Sequence, residues 1–200
     1  MARKVEEPAF TTVIDDGNIE VREYPACVVA ETEVTGDWDK ASSAGFRRLA
    51  GYIFGGNRGS ARIAMTAPVG QRQLGQKIAM TAPVGVRPDG EAWIVSFTMP
   101  SGSVLYAMPT PNDELVRLRE LPGRRVAVIQ FTGFWTAASM ATRTEALQSW
   151  MARRGLHAAG PPEINRYDPP WTLPWLRRNE VWIPVQTENE QPLRDSPIGP

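Results

Sequence analysis

The side chains able to do chemistry are few and widely spaced. His157 is the only imidazole in 200 residues, and Cys27 is the only thiol. A zinc set of several histidines or paired cysteines is thereby excluded. No His-Glu-x-x-His helix, Gly-x-Ser-x-Gly elbow or glycine-rich phosphate loop occurs either. What remains are soft and basic groups. Met65 and Met80 stand at the same place in two copies of one short run, and Arg47, Arg48, Arg58, Arg62 and Lys77 lie around those copies. Thioether and imidazole suit iron and the faces of large flat rings, whereas guanidinium and ammonium suit carboxylates. Together these groups fit a ligand with a flat apolar body, a metal centre and acidic arms. Each also has an ordinary reading: the methionines as core filling, His157 as a solvated residue after a Gly155 helix cap, and the arginines as a solvated face.

The elements that must position these groups come from internal repetition. Sliding the chain by 97 residues sets Val21-Arg-Glu-Tyr-Pro25 on Leu118-Arg-Glu-Leu-Pro122, and the match runs ungapped through Ile53 and Trp150 with eleven identities. Both copies read as a β-rich run (27–34 and 126–131), a Thr-Gly break and an Ala-rich helix. Trp38, Ala41, Gly45, Leu49 and Ile53 predict one apolar stripe, and Trp135, Ala138, Ala141, Ala146 and Trp150 predict its counterpart. A shorter repeat, offset by 15, sets Ile63-Ala-Met-Thr-Ala-Pro-Val69 on Ile78-Ala-Met-Thr-Ala-Pro-Val84. As strands, these copies point Ile63 and Met65, or Ile78 and Met80, to one apolar face.

Further strands are predicted at 10–14, 19–24, 92–99, 115–119, 164–167 and 180–185, with Asp16-Gly17-Asn18 as a hairpin turn. Strands outnumber helices and do not alternate with them, which argues against a doubly wound parallel fold. The fold class expected is α+β: a distorted antiparallel β-barrel from two repeated β-α-β-β-like halves, flanked by two long helices. Residues 1–8 read as an extension, 9–185 as a single domain with halves of about 9–100 and 101–185, and 186–200 as a flexible tail. The 22 basic residues balance the 22 acidic ones, so no global field favours nucleic acid. No apolar run of about 18 residues offers a membrane span. The first eight residues lack the apolar stretch of a signal peptide, so a cytoplasmic location is expected, with the periplasm as the alternative if a leader was trimmed.

In order and spacing, one series of motifs resembles the SOUL family of haem-binding proteins. It comprises Ile19-Glu-Val-Arg-Glu-Tyr24, Gly45-Phe46 with Tyr52-Ile53 and Gly55-Gly-Asn57, Lys77-Ile-Ala-Met-Thr-Ala-Pro-Val84, Val95-Ser-Phe97 with Pro100, Phe131-Thr-Gly133, Tyr167-Asp-Pro-Pro170 and Arg178-Asn-Glu-Val181. The duplicated Ile-Ala-Met-Thr-Ala-Pro-Val looks like the bacterial branch. The resemblance implies a two-halved barrel related to gyrase-inhibitor-like domains. It also implies reversible binding of haem or another tetrapyrrole at an apolar surface beside the first helix. On this chain that neighbourhood includes Tyr52, Asn57, Arg58, Arg62, Ile63 and Met65. Met80 joins them as the matching methionine of the second short copy, and His157 is the candidate axial ligand to iron by its imidazole rather than by the resemblance. The leading expectation is a non-enzymatic carrier or buffer of haem. Two alternatives accompany it: a module for other hydrophobic molecules or a protein partner, and an enzyme that removes the metal from a tetrapyrrole.

Overall fold

The computed structural model describes residues 5–58, 75–134, 136–169 and 171–186. In chain order its elements are β1 (Thr11–Asp16), β2 (Ile19–Tyr24), β3 (Cys27–Thr35), α1 (Trp38–Ile53), β4 (Asn57–Arg58), β5 (Val84–Asp89), β6 (Ala92–Thr98), β7 (Thr110–Pro111), β8 (Arg117–Leu121), β9 (Arg124–Phe131), α2 (Ala137–Arg153), β10 (Glu163–Arg166) and β11 (Asn179–Pro184). The first hairpin turns as its sequence predicts: Gly17 takes a left-handed φ of 73°, and its N–H donates to Asp15 Oδ1 at 3.1 Å. Asp37 caps α1 by accepting from Lys40 N–H at 3.0 Å, and Thr136 with Ser139 forms a reciprocal cap on α2.

Nine strands form one antiparallel sheet in the order β1-β2-β9-β11-β10-β5-β6-β3-β8, while β4 and β7 pair separately. The register that sets Tyr24 opposite Arg124 resumes with Cys27 opposite Leu121. Between these pairs stand Pro25 and Pro122, which have no N–H to give to a ladder. The segments β2–β3 and β8–β9 thus run alongside each other in a single register and hand over from one end of the sheet to the other at the two prolines. Among the described residues hydrogen bonding leaves the sheet open, with β1 and β8 as its edges. The expected distorted barrel is thus not closed by a ladder there: continuity of the chain through 25–26 and 122–123 connects the two ends.

Residues paired across strands share a face, so one row fixes both sides of the sheet. Val181, Ile164, Val86 and Val95 lie in line on the side covered by the helices. There α1 packs on β3 and β6, and α2 on β9 and β11. Ala41, Ser42, Gly45, Leu49, Tyr52 and Ile53 form the buried face of α1, close to the predicted stripe. The stripe of α2 differs in part: Trp150 is buried as expected, and Trp135 lies outside the described residues. Ala138, Ala141 and Ala146 are exposed, while Met140, Leu147, Trp150 and Met151 are buried. Larger side chains bury more apolar area than alanines, so they decide which face turns inward. The second Ile-Ala-Met-Thr copy is also not a strand. Ile78 N–H is taken by the Ile53 carbonyl and Ala82 N–H by the Glu6 carbonyl, each at 2.8 Å, and only Thr81 makes an isolated bridge. The strand begins after Pro83, at Val84. The first copy lies outside the described residues.

The seat of α1 yields a paired prediction. A Cβ on Gly45 would come within 2.4 Å of Val95 Cγ2 and 2.6 Å of its Cβ, and a β-branched neighbour gives way poorly. Gly45→Ala should therefore lower unfolding stability by about 1–3 kcal/mol. Gly51→Ala, on the same helix with nothing within 4 Å, should raise it by about 0.5–1 kcal/mol. Urea midpoints of the two variants check the contrast.

Candidate functional site

At its C-terminal end α1 stops in Phe54, and Gly55 turns the chain with φ 113°. Tyr52 is 2% exposed, and its hydroxyl donates to the Pro109 carbonyl at 2.9 Å. Asn57 acts as a clasp: its Nδ2 donates at 2.8 Å to the carbonyls of both Tyr52 and Gln76, and its Oδ1 accepts from Gln76 N–H at 2.9 Å. Arg58 Nε donates to Asn112 Oδ1 at 3.1 Å. Ile78 and Met80 pack, partly buried, on the α1 core, while Phe54 stands 60% exposed at the helix end. Of the predicted residues, Tyr52, Asn57 and Arg58 therefore lie together at one end of α1, while Met80 packs on the core that α1 shares with the sheet. Tyr52 and Asn57 spend their hydrogen bonds on the backbone and shape the surface from beneath. Arg62, Ile63 and Met65 lie outside the described residues.

His157 is not brought to this surface. It follows α2, is exposed, and its carbonyl accepts from Gln186 N–H at 2.9 Å. Gly155 precedes it with φ 66°, the left-handed helix ending that its position suggests. Among the described residues, no group of three or more His, Cys, Asp or Glu is placed to hold a metal. No helix there is long and apolar enough to cross a membrane.

The sheet face away from the helices was not legible as a site. Glu180 is completely buried and accepts from Arg22 Nη1 at 3.2 and 3.1 Å, Arg178 Nη2 at 2.9 Å, Tyr167 OH at 2.7 Å and Trp182 Nε1 at 2.6 Å. Burial works to lower the Arg22 pKa, but the Glu180 carboxylate and hydrogen bonds to Tyr24 and Glu20 more than offset it, leaving Arg22 above its usual range. Glu163 pairs with Arg124, and Glu31 with Arg87 and Arg119. Gly85 lets this layer close, since a Cβ there would stand 2.5 Å from Glu163 Oε1. Only about 20 Å³ of space remains among these groups. The arginines already occupy the acids, so this layer is structural.

A larger cleft, of about 280 Å³, opens where the chain crosses at Pro25 and Pro122; its walls include Tyr24, Cys27, Met99, Val104 and Trp182. Tyr24 stacks on Trp182 with centroids 4.9 Å apart. Burial pushes the Tyr24 hydroxyl up to about 12 and raises the Cys27 thiol. Glu6 holds the N-terminal wall through Ser101 N–H at 2.7 Å. The cleft lies just under the range of roughly 300–1,000 Å³ that encloses drug-sized molecules.

Comparison with known proteins adds to this geometry. The family model described as SOUL heme-binding protein matches residues 5–184. Heme-binding protein 2 of Homo sapiens is 30% identical over 200 residues, covering 94% of this chain and 89% of the human one. Heme-binding protein 1 of Xenopus laevis is 28% identical over 165 residues, 82% of each chain. Among solved structures, the EcmrR C-terminal domain superposes with TM-score 0.56 at 12% identity, covering 84% of this chain and 96% of that one. This last likeness shows the fold alone.

Two outcomes test this description of the site. Glu180→Ala would leave Arg22 and Arg178 without their buried counter-charge and should cost about 3–5 kcal/mol, read from urea denaturation. Burial also pushes the Tyr52 hydroxyl up to about 12 from its ordinary 10.0. The folded protein therefore holds this proton after the unfolded chain has released it, and stability falls as pH rises. The stability advantage of the wild type over Tyr52→Phe should be constant below about pH 9 and shrink between pH 10 and 12. Denaturation of both proteins across that window reads the difference.

Proposed function

Because the chain belongs to the SOUL heme-binding protein family, we propose that it binds haem or a closely related tetrapyrrole as a carrier or buffer. The observation that carries this reading is the family match across residues 5–184, with relatives named heme-binding proteins aligned over most of their length. The surface that suits the ring is the C-terminal end of α1. Phe54, Ile78 and Met80 offer it an apolar bed, and Arg58, with Arg62 and Lys77 of the neighbouring sequence, offers partners for carboxylate arms. Met65 and Met80 are the thioethers near enough in sequence to face the metal, whereas His157 follows α2, away from this surface. The cleft is too small to enclose the macrocycle, which favours a ring lying against the surface.

A carrier fits better than a dechelating enzyme. Removing the metal needs an acid that protonates ring nitrogens, and the buried carboxylates Glu163 and Glu180 and the partly buried Glu31 each accept from arginine. The same order of elements in β2–β3–α1 and β8–β9–α2 supports reading residues 9–185 as one domain of two related halves, about 9–100 and 101–185.

A hemin titration tests the proposal through Soret absorbance and tryptophan quenching, for which seven tryptophans give signal. Saturation at one equivalent is expected. Arg58→Ala and Phe54→Ser should each weaken binding by about three- to tenfold. Met80→Ala should move the Soret band, and His157→Ala, against the other helix, should leave it in place. Absence of saturation would end the haem reading, and a shift on His157→Ala alone would move the ligand away from α1.

A further inference from the structure

The cleft where the chain crosses at Pro25 and Pro122 is walled by segments that are each fastened in place. Residues 5–10 form a strap along it. The Glu6 carbonyl accepts from Ala82 N–H at 2.8 Å, the Glu6 carboxylate from Ser101 N–H at 2.7 Å, and Glu7 from Arg178 Nη1 at 2.9 Å. Phe10 rests on the Tyr24 ring with centroids 5.3 Å apart, and Tyr24 in turn stacks on Trp182. Met99 N–H donates to the Val28 carbonyl at 2.8 Å. Walls tied down in this way hold their shape before a ligand arrives, which lowers the ordering cost of binding.

The lining is mostly apolar, and most of its polar groups are already used. Pro8, Pro25, Pro100 and Pro122 line the cleft and have no N–H to satisfy. The Thr81 hydroxyl donates to the Thr98 carbonyl. Burial keeps the Tyr24 hydroxyl and the Cys27 thiol protonated at neutral pH. Among the described lining residues Glu6 is the one acid and Arg124 the one base. Arg124 borders both the small gap of the ionic layer and the cleft, and its guanidinium lies over the Trp182 ring at 5.6 Å. Its Nη1 donates to Glu163 Oε2 at 3.3 Å, while Nε and Nη2 have no acceptor among the described residues. Those two nitrogens form the edge of a guanidinium that takes a carboxylate through two parallel hydrogen bonds, so the pair with Glu163 leaves this edge open.

We propose that the cleft binds a small carboxylic acid, its apolar body against Tyr24, Met99 and Trp182 and its carboxylate on the Nε–Nη2 edge of Arg124. A space of about 280 Å³ suits a molecule below drug size, and the aromatic walls suit a ring in its body. The guanidinium sets the class: a neutral molecule leaves the open edge unmet, and a cation meets like charge. None of Tyr52, Phe54, Asn57, Arg58, Ile78 and Met80 lines the cleft. The site is therefore separate from the ring surface at the end of α1, and the inference stands independently of haem binding.

The test titrates the whole chain with 4-phenylbutyrate, read by calorimetry and tryptophan emission, and compares the neutral 4-phenylbutanamide and the cationic 4-phenylbutylamine. The acid should saturate one site, and the amide and amine should bind about tenfold more weakly or less. Val104→Trp adds bulk at a wall position that is 41% exposed and should abolish binding. Arg124→Lys keeps a charge beside Glu163 but loses the fork, and should weaken the acid by about three- to tenfold while leaving the amide unchanged. Should either variant melt early, acid against amide on the wild type decides alone. No saturation by the acid, equal binding of acid and amide, or undiminished binding by a folded Val104→Trp overturns the proposal. So would displacement of bound hemin by the acid, which would put the probe on the ring surface. The acid and amide titrations run without hemin, so failure of the haem reading leaves their outcome untouched.

Discussion

A side chain on a strand has two directions in which to point, and one register decides between them for most of this molecule. The pairing that begins with Ile19 opposite Ile129 and ends with Glu31 opposite Arg117 spans both copies of the sequence repeat. Shifted by one residue, it would turn Val21 and Ala127 away from the helices and drive Arg22 into their core. Everything else follows from that choice: α1 and α2 cover one face, and the arginines and glutamates meet on the other. The prolines at 25 and 122 interrupt the ladder at the one place where the chain must pass from one end of the sheet to the other.

The two faces do different work. The helix side is close-packed and apolar, with Leu49, Val86, Val95, Leu147 and Val181 fully removed from water, and burial of this kind is the main favourable term in folding. The opposite face is ionic. A buried ion pair returns little net stability, because desolvation consumes most of the attraction, yet it penalises misalignment heavily. Glu180 is held by Arg22 from β2 and by Arg178 just before β11, so a slipped register would strand three charges at once. In this reading the ionic layer secures specificity while the helix side supplies stability.

The ring-binding surface proposed above lies on neither face but at the C-terminal end of α1, where Tyr52 and Asn57 tie the helix end to the Pro109 and Gln76 backbone. A helix lying on a sheet is rigid on the scale of its own length, so that end of α1 is held in a fixed place by the packing of the whole helix.

Much of this was legible in the residues. Hydrophobic periodicity and turn chemistry placed β1, β2, β3, β6, β8, β9, β10, β11 and both helices to within a few residues, because those signals are local. The short β4–β7 pair, and β5 with Gly85 and Pro88 inside it, escaped notice because local preference opposes them and only long-range pairing makes them strands. The α2 stripe was misread where alanine spacing competed with fewer but larger side chains. Of the candidate site, Tyr52, Asn57 and Arg58 were named through the family motifs and Met80 through the short repeat, but not that Tyr52 and Asn57 face inward. The sequence by itself determined the family, the strand-rich class and the residues available for binding, since these are matters of composition and order. Tertiary structure alone decided that the ladder stays open and that Arg22 meets Glu180 across 158 positions. It also decided that His157 stands against the other helix. Such contacts depend on strand pairing between distant segments, which no local pattern encodes.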